Sequence, residues 1–202
     1  MHANTPGFEP NEQELALLEL AQRVSEHSPD RSRKVGAVLV DSNYKIITAG
    51  CNTLPLNIPH EDQYLSRPAK YDWTEHAERN AIYEAAREGH ATKGCTIILP
   101  WFPCVECARA IVQAGVSRIV ASYPDVDDPT WGEGFKIGLK LFEKAGVQFD
   151  VLQNIAPPQA IAEGQSAQES KGHGRPSIEQ MVQEWNDAIP TPKTGARLRR
   201  SP

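Results

Sequence analysis

Two short signatures have to meet in space in any fold of this chain: His76-Ala77-Glu78 and Pro103-Cys104-Val105-Glu106-Cys107. Cys104 and Cys107 are three positions apart, so on a helix they share one face. Pro103 suits the first helical turn, because the N–H it lacks would have had no partner there. The spacing predicts both sulfurs at a helix N-terminus, where the macrodipole favours thiolate over thiol. Two thiolates and one imidazole make a three-ligand Zn²⁺ set that leaves a fourth position for water.

An open zinc position points to catalysis more than to structure, since water bound at such a site drops to a pKa of about 7. Glu78 lies two residues past His76, so it need not be a ligand, yet it can border the same cavity and carry protons. H-x-E followed by P-C-x-x-C is the signature of zinc nucleobase deaminases. Other readings of the cysteine pair fit less well. A redox C-x-x-C lacks its usual setting, and a structural finger wants a fourth Cys or His at short spacing, which the sequence does not supply. Buried thiols beside a surface histidine would leave Glu78 unexplained.

Composition bounds the rest. A chain of 202 residues fits one domain of about 150 residues plus an extension. An apolar fraction of 40% supports a real core, and a formal net charge of −5 argues against an extended nucleic-acid-binding face. Four cysteines are too sparse for a disulfide framework. The first ten residues hold no apolar h-region, and no run approaches the ~18 apolar residues of a membrane span. A soluble protein of the reducing cytoplasm is expected, without membrane partners.

Residues 1–10 read as a disordered leader and 11–152 as the catalytic domain; 153–202 hold a linker, a short helix at about 177–189 and a basic tail. Asn11 and Glu14 resemble a capping box opening a helix to about Ser28, with Leu15, Leu17, Leu18, Ala21 and Val24 as its apolar stripe. Val35–Val40 is a continuous apolar run, as in a strand covered on both faces. Asp41-Ser42-Asn43 turns it back into a second strand over 45–49. That strand leads to Gly50-Cys51-Asn52, where Asn52 is either a solvated turn residue or a substrate contact. The long, proline-bearing connection 53–75 is expected to be a functional loop. It carries His60, Arg67 and Lys70; a lone histidine in a polar loop is usually solvated. A helix over 76–88 with Ala77, Ala81, Ile82, Ala85 and Ala86 inward follows, with Gly89 as its terminator. Strands at 94–99, 117–121 and 147–152 alternate with helices at 104–114 and 135–145. The order predicts an α/β protein: a three-layer α-β-α fold, with helices on both faces of a mixed five-stranded sheet. The helix at 177–189, with Ile178, Met181, Val182 and Trp185 on one side, is too short to stand alone and should dock on its own domain or a neighbouring subunit.

Residues 12–152 resemble the cytidine deaminase superfamily, and within it the deoxycytidylate (dCMP) deaminase group. Val35-Gly-Ala-Val-Leu-Val40, Gly50-Cys-Asn-Thr-Leu-Pro55, His76-Ala-Glu-Arg-Asn-Ala-Ile82 and Phe102-Pro-Cys-Val-Glu-Cys-Ala108 carry the likeness. It implies zinc on His76, Cys104 and Cys107, and Glu78 as proton shuttle. It implies Asn52 at the nucleotide, and a homo-oligomer between dimer and hexamer. The backbone at Pro103 is placed to orient the reacting groups, and Arg33, Lys34, Arg67 and Lys70 are candidates for the phosphate. The group usually has Gly-Tyr-Asn-Gly where this chain has Gly50-Cys-Asn-Thr53, a region that helps bind a dCTP effector in some members. The expected reaction is hydrolytic deamination of a cytosine nucleotide, foremost dCMP. A free or modified base, a tRNA adenosine substrate, and a non-catalytic zinc-binding regulatory subunit are the rival readings.

Overall fold

The computed structural model describes residues 8–152 and 176–189. The basic tail and the linker therefore lie outside the described residues, as does most of the leader. Phe8, at the edge of the leader, packs against the core with the Arg118 guanidinium 5.5 Å from its ring centre.

Helix α1 (Glu12–Ser25) opens on the expected capping box, with Asn11 and Glu14 bonded reciprocally. Its buried face differs from the periodicity reading. Leu15 is exposed, while Glu14 and Leu20 are buried. Glu14 turns inward because Arg118 meets it at 2.6 Å, a partner more than a hundred positions away. Strands β1 (Gly36–Val40) and β2 (Ile46–Cys51) form the predicted hairpin. Asp41 Oδ1 accepts from the N–H of Asn43 and of Lys45 at its turn.

The connection after β2 contains two short helices, α2 (Asp62–Leu65) and α3 (Lys70–Trp73). Reciprocal backbone bonds between Thr53 and Glu75 close it at the base. Then come α4 (Ala77–Arg87), β3 (Thr96–Ile98), α5 (Val105–Gln113), β4 (Arg118–Ser122), α6 (Gly132–Ala145) and β5 (Gln148–Leu152). Gly89, Gly115 and Gly146 all take positive φ just past helix ends, as their positions in the sequence suggest. Ala86, expected inside α4, is exposed.

The sheet order is β2-β1-β3-β4-β5. β1 runs antiparallel to both neighbours, and β3, β4 and β5 are mutually parallel. Side chains alternate across it. Ala37, Leu39, Ile97 and Ile119 enter the core shared with α4, α5 and α6. Val38, Val40, Ile98 and Val120 enter the core shared with α1 and the last helix, α7 (Ile178–Ala188). The expected three-layer arrangement is present.

Helix α7 docks on its own domain. Met181 is buried, and Trp185 Nε1 donates to the Tyr44 carbonyl at 2.9 Å. The Asn186 amide takes both backbone groups of Ile46 on the edge strand β2, at 2.8 and 3.0 Å.

Close packing of α4 on β2 places the start of α4, and so the site. A Cβ at Gly50 would lie 2.7 Å from the Ala81 nitrogen and 2.9 Å from the Ala77 oxygen, both backbone. Gly50→Ala must therefore push α4 off the sheet. We expect a loss of about 1–3 kcal/mol, read as a lower urea midpoint with unchanged slope.

Candidate active site

Two helix N-termini build the centre of the site. His76 is the N-cap of α4 and Cys104 the N-cap of α5, each with extended backbone. The sequence reading put Pro103 inside the first turn. The helix begins two residues later, at Val105, because the Cys104 carbonyl already accepts the Ala108 N–H while its own backbone remains extended. Cys107 stands in the first turn and is fully buried.

His76 Nδ1 lies 3.5 Å from both Cys104 Sγ and Cys107 Sγ. The ligand atoms of all three fall within 4.8 Å of one another, the one such cluster among the described residues. Their protons are in competition. A hydrogen bond from Cys107, with the imidazole beside it, holds the Cys104 thiol down to about 3. The hydrogen bond to Cys104 pushes His76 up against the opposing effect of burial. The same sulfur, together with burial, drives Cys107 up. Three soft or borderline donors so close together are a fitting set for zinc, which displaces the protons they share. Cys107→Ser should lose most of its metal on dialysis, and elemental analysis beside the wild type reads this directly.

Glu78 stands in the first turn of α4 and is 6% exposed. Burial pushes its carboxyl up, with His76 working in the other direction. It shares with His76 and Cys104 the lining of a cavity of about 250 Å³. Trp101, Phe102, Trp131 and Phe135 make the aromatic wall, and Asp30, Ser32, Arg33, Arg67, Lys70 and Tyr71 the polar one. Phe102 itself makes edge-on contacts with Phe135, Phe142 and Phe149, just ahead of the cysteine helix.

The remaining sequence candidates fall in different places. Asn52 and Arg33 line the cavity; Pro103 and Lys34 are not among its lining. Lys34 Nζ reaches the Glu26 carbonyl at 3.3 Å. His60 is exposed, 3.3 Å from the Thr53 hydroxyl and apart from the metal cluster. Sequence reasoning did not find Asp30. Its Oδ1 accepts from the backbone of Ser32 and Arg33, turn chemistry that an Asp two residues before a Ser can signal. Its oxygens also hold Lys70 Nζ at 2.8 and 3.0 Å.

An imidazole and two thiols poised for zinc, with a buried carboxylate in the same cavity, define the class: a zinc-dependent deaminase. Residues 11–123 match the model of the family described as the cytidine and deoxycytidylate deaminase zinc-binding region, and the chain belongs to that family. An uncharacterized deaminase from the luxG 3′ region of Aliivibrio fischeri is 35% identical over 133 residues, covering 65% of this chain and 88% of that protein. Human deoxycytidylate deaminase is 34% identical over 134 residues, covering 62% of this chain and 71% of its own. The apo crystal structure of dCMP deaminase from cyanophage S-TIM5 shares the fold, with a TM-score of 0.57 at 23% identity, over 71% of this chain and 100% of that one.

Proposed function

We propose that this enzyme hydrolyses the exocyclic amine of a cytosine nucleotide, dCMP foremost, to give the uracil nucleotide and ammonia. The observation that carries the reading is the buried Glu78 carboxylate beside the His76–Cys104–Cys107 cluster, in a cavity with aromatic and cationic walls. The likeness to deoxycytidylate deaminases supports the choice of base and of phosphate.

His76, Cys104 and Cys107 would hold zinc, which when bound would supply a Lewis acid that lowers the pKa of water toward neutrality. Glu78 takes a proton from the attacking water as its oxygen bonds to C4, and delivers it to N3. It then takes the second proton of that water and hands it to the amine as the C4–N4 bond breaks and ammonia leaves. Pro103 and Cys104, leading into α5, offer backbone to orient the amine. The aromatic wall, with Trp101 and Trp131, fits a flat heterocycle. A homo-oligomer acting in the reducing cytoplasm accords with the resemblance and with four free cysteines. No helix among the described residues is long and apolar enough to cross a membrane.

The test is the cytosine-to-uracil absorbance change with dCMP, CMP, deoxycytidine, cytosine and dCTP in parallel. Turnover strongest on dCMP supports the reading. Silence on all five with zinc bound removes it, and turns the search to modified bases, purines and RNA, the last recognised by steeply salt-dependent retention.

A further inference from the structure

A metal ligand that also begins a helix has two tasks and one side chain. The N-cap side chain ordinarily accepts a free N–H of the first turn. Asn11 and Ser177 do so for α1 and α7, and in both boxes the third helical residue, Glu14 or Gln180, accepts the N-cap N–H in return. His76 makes no such bond, because its imidazole faces the two sulfurs instead. The third helical residue of α4 cannot answer it directly either, since that residue is Arg79, which has no acceptor.

Glu75 supplies the missing acceptor from the other side. Its Oε1 accepts the His76 N–H at 3.0 Å, and Nε and Nη2 of Arg79 both close on that same oxygen. The capping box is thus rebuilt with one extra member: the third helical residue still secures the N-cap N–H, but through a carboxylate outside the helix. The side chains of this pair are 19% and 22% exposed, more shielded than the 43% and 36% of Arg87 and Glu84 at the far end of the same helix. Neither Glu75 nor Arg79 is among the cavity's lining, and the bridge between Glu75 and Thr53 is made by backbone alone. Arg79 also feels the metal-binding sulfurs. Burial works against its charge, but Cys107, Glu75 and Cys104 outweigh burial and hold its pKa above the ordinary value.

We propose that the Glu75–Arg79 pair is a positioning device for His76, standing in for the cap that His76 gives up to the metal, and that it sets how firmly zinc is held. This rests on zinc binding at His76, Cys104 and Cys107, and names the residues that fix one of those ligands from outside the cavity.

The experiment times zinc release from the holoenzyme into an excess of a colorimetric chelator. It compares wild type, Glu75→Ala, Arg79→Ala, the double variant, Arg79→Lys and Glu84→Ala. Glu75→Ala releases zinc about tenfold faster or more, as expected when the support of a metal ligand is removed. Arg79→Ala does much the same, and the double variant is little faster than either, because the two act as one unit. Arg79→Lys recovers part of the loss, since charge returns without the fork. Glu84→Ala, which breaks an ion pair of α4 far from His76, keeps the wild-type rate. A Glu75→Ala protein as slow as wild type overturns the inference and leaves the zinc centre standing. A Glu84→Ala protein as fast as Glu75→Ala overturns it as well, by tracing release to the stability of the helix. A wild type that takes up no zinc overturns both the inference and the centre beneath it.

Discussion

Glu78→Gln should turn over substrate about 10²–10⁴-fold more slowly than the wild type while binding the same amount of zinc. The amide has the shape of the carboxyl group and can still hydrogen-bond, but it cannot take a proton from water or return one to the ring. Glu78 is almost fully enclosed, and burial opposes its charged form. The neutral isostere should therefore fold at least as stably as the parent. Three measurements decide it: single-turnover rate, metal content and thermal midpoint. A slow, metal-loaded and stable variant assigns the proton transfers to Glu78. A variant as fast as wild type would end the mechanism proposed here, and an inactive wild type would favour the regulatory-subunit alternative.

Lys70→Met should cost about 3–5 kcal/mol, because it strands the Asp30 carboxylate away from water without its ammonium. Both side chains of the pair are less than a tenth exposed, so solvent screening does little to soften the loss. The pH dependence follows from Asp30. Burial alone would raise its pKa, but Lys70 and the N–H groups of Ser32 and Arg33 outweigh burial and hold it below the ordinary value of 3.8. A carboxyl group depressed in the folded state contributes stability that is fully present above its unfolded pKa and is lost as the pH falls through its folded one. In the Met variant burial is no longer opposed by the ammonium, so Asp30 protonates more readily and the cost of stranding it fades. Urea midpoints of the two proteins should therefore converge between about pH 7 and about pH 4. A constant gap over that range would show that Lys70 stabilises by packing alone.

That His76, Cys104 and Cys107 would meet, with Glu78 bordering the same cavity, was legible because the spacing is local: each signature lies within one helical turn, and helix geometry sets the rest. The strands were legible from apolar runs, and the helix ends from Gly89, Gly115 and Gly146. What escaped depends on partners far along the chain. Periodicity turned Leu15 inward, yet it is exposed, and Glu14, read only as a capping residue, is buried against Arg118. Asp30 and Lys70 stand forty positions apart, and nothing in either neighbourhood announces the other. Asn52 could be narrowed to a turn residue or a substrate contact, but not resolved further, since its backbone partners at Arg33 and Val35 appear only once β2 has been brought alongside. Ala86 was misplaced for a simpler reason: alanine is small enough to be tolerated on either side of α4.

Asn186 and Ile46 are 140 positions apart, and their bonds satisfy the first residue of β2's open edge with a side chain in place of a strand. On the ribosome, the domain through β5 emerges before α7 does, so the nascent chain passes through a stage in which that sheet edge is bare. Unpaired strand edges are the template for intermolecular pairing. A shortened chain ending at β5 would carry the whole zinc centre but leave the Ile46 backbone groups on that edge without their Asn186 partner.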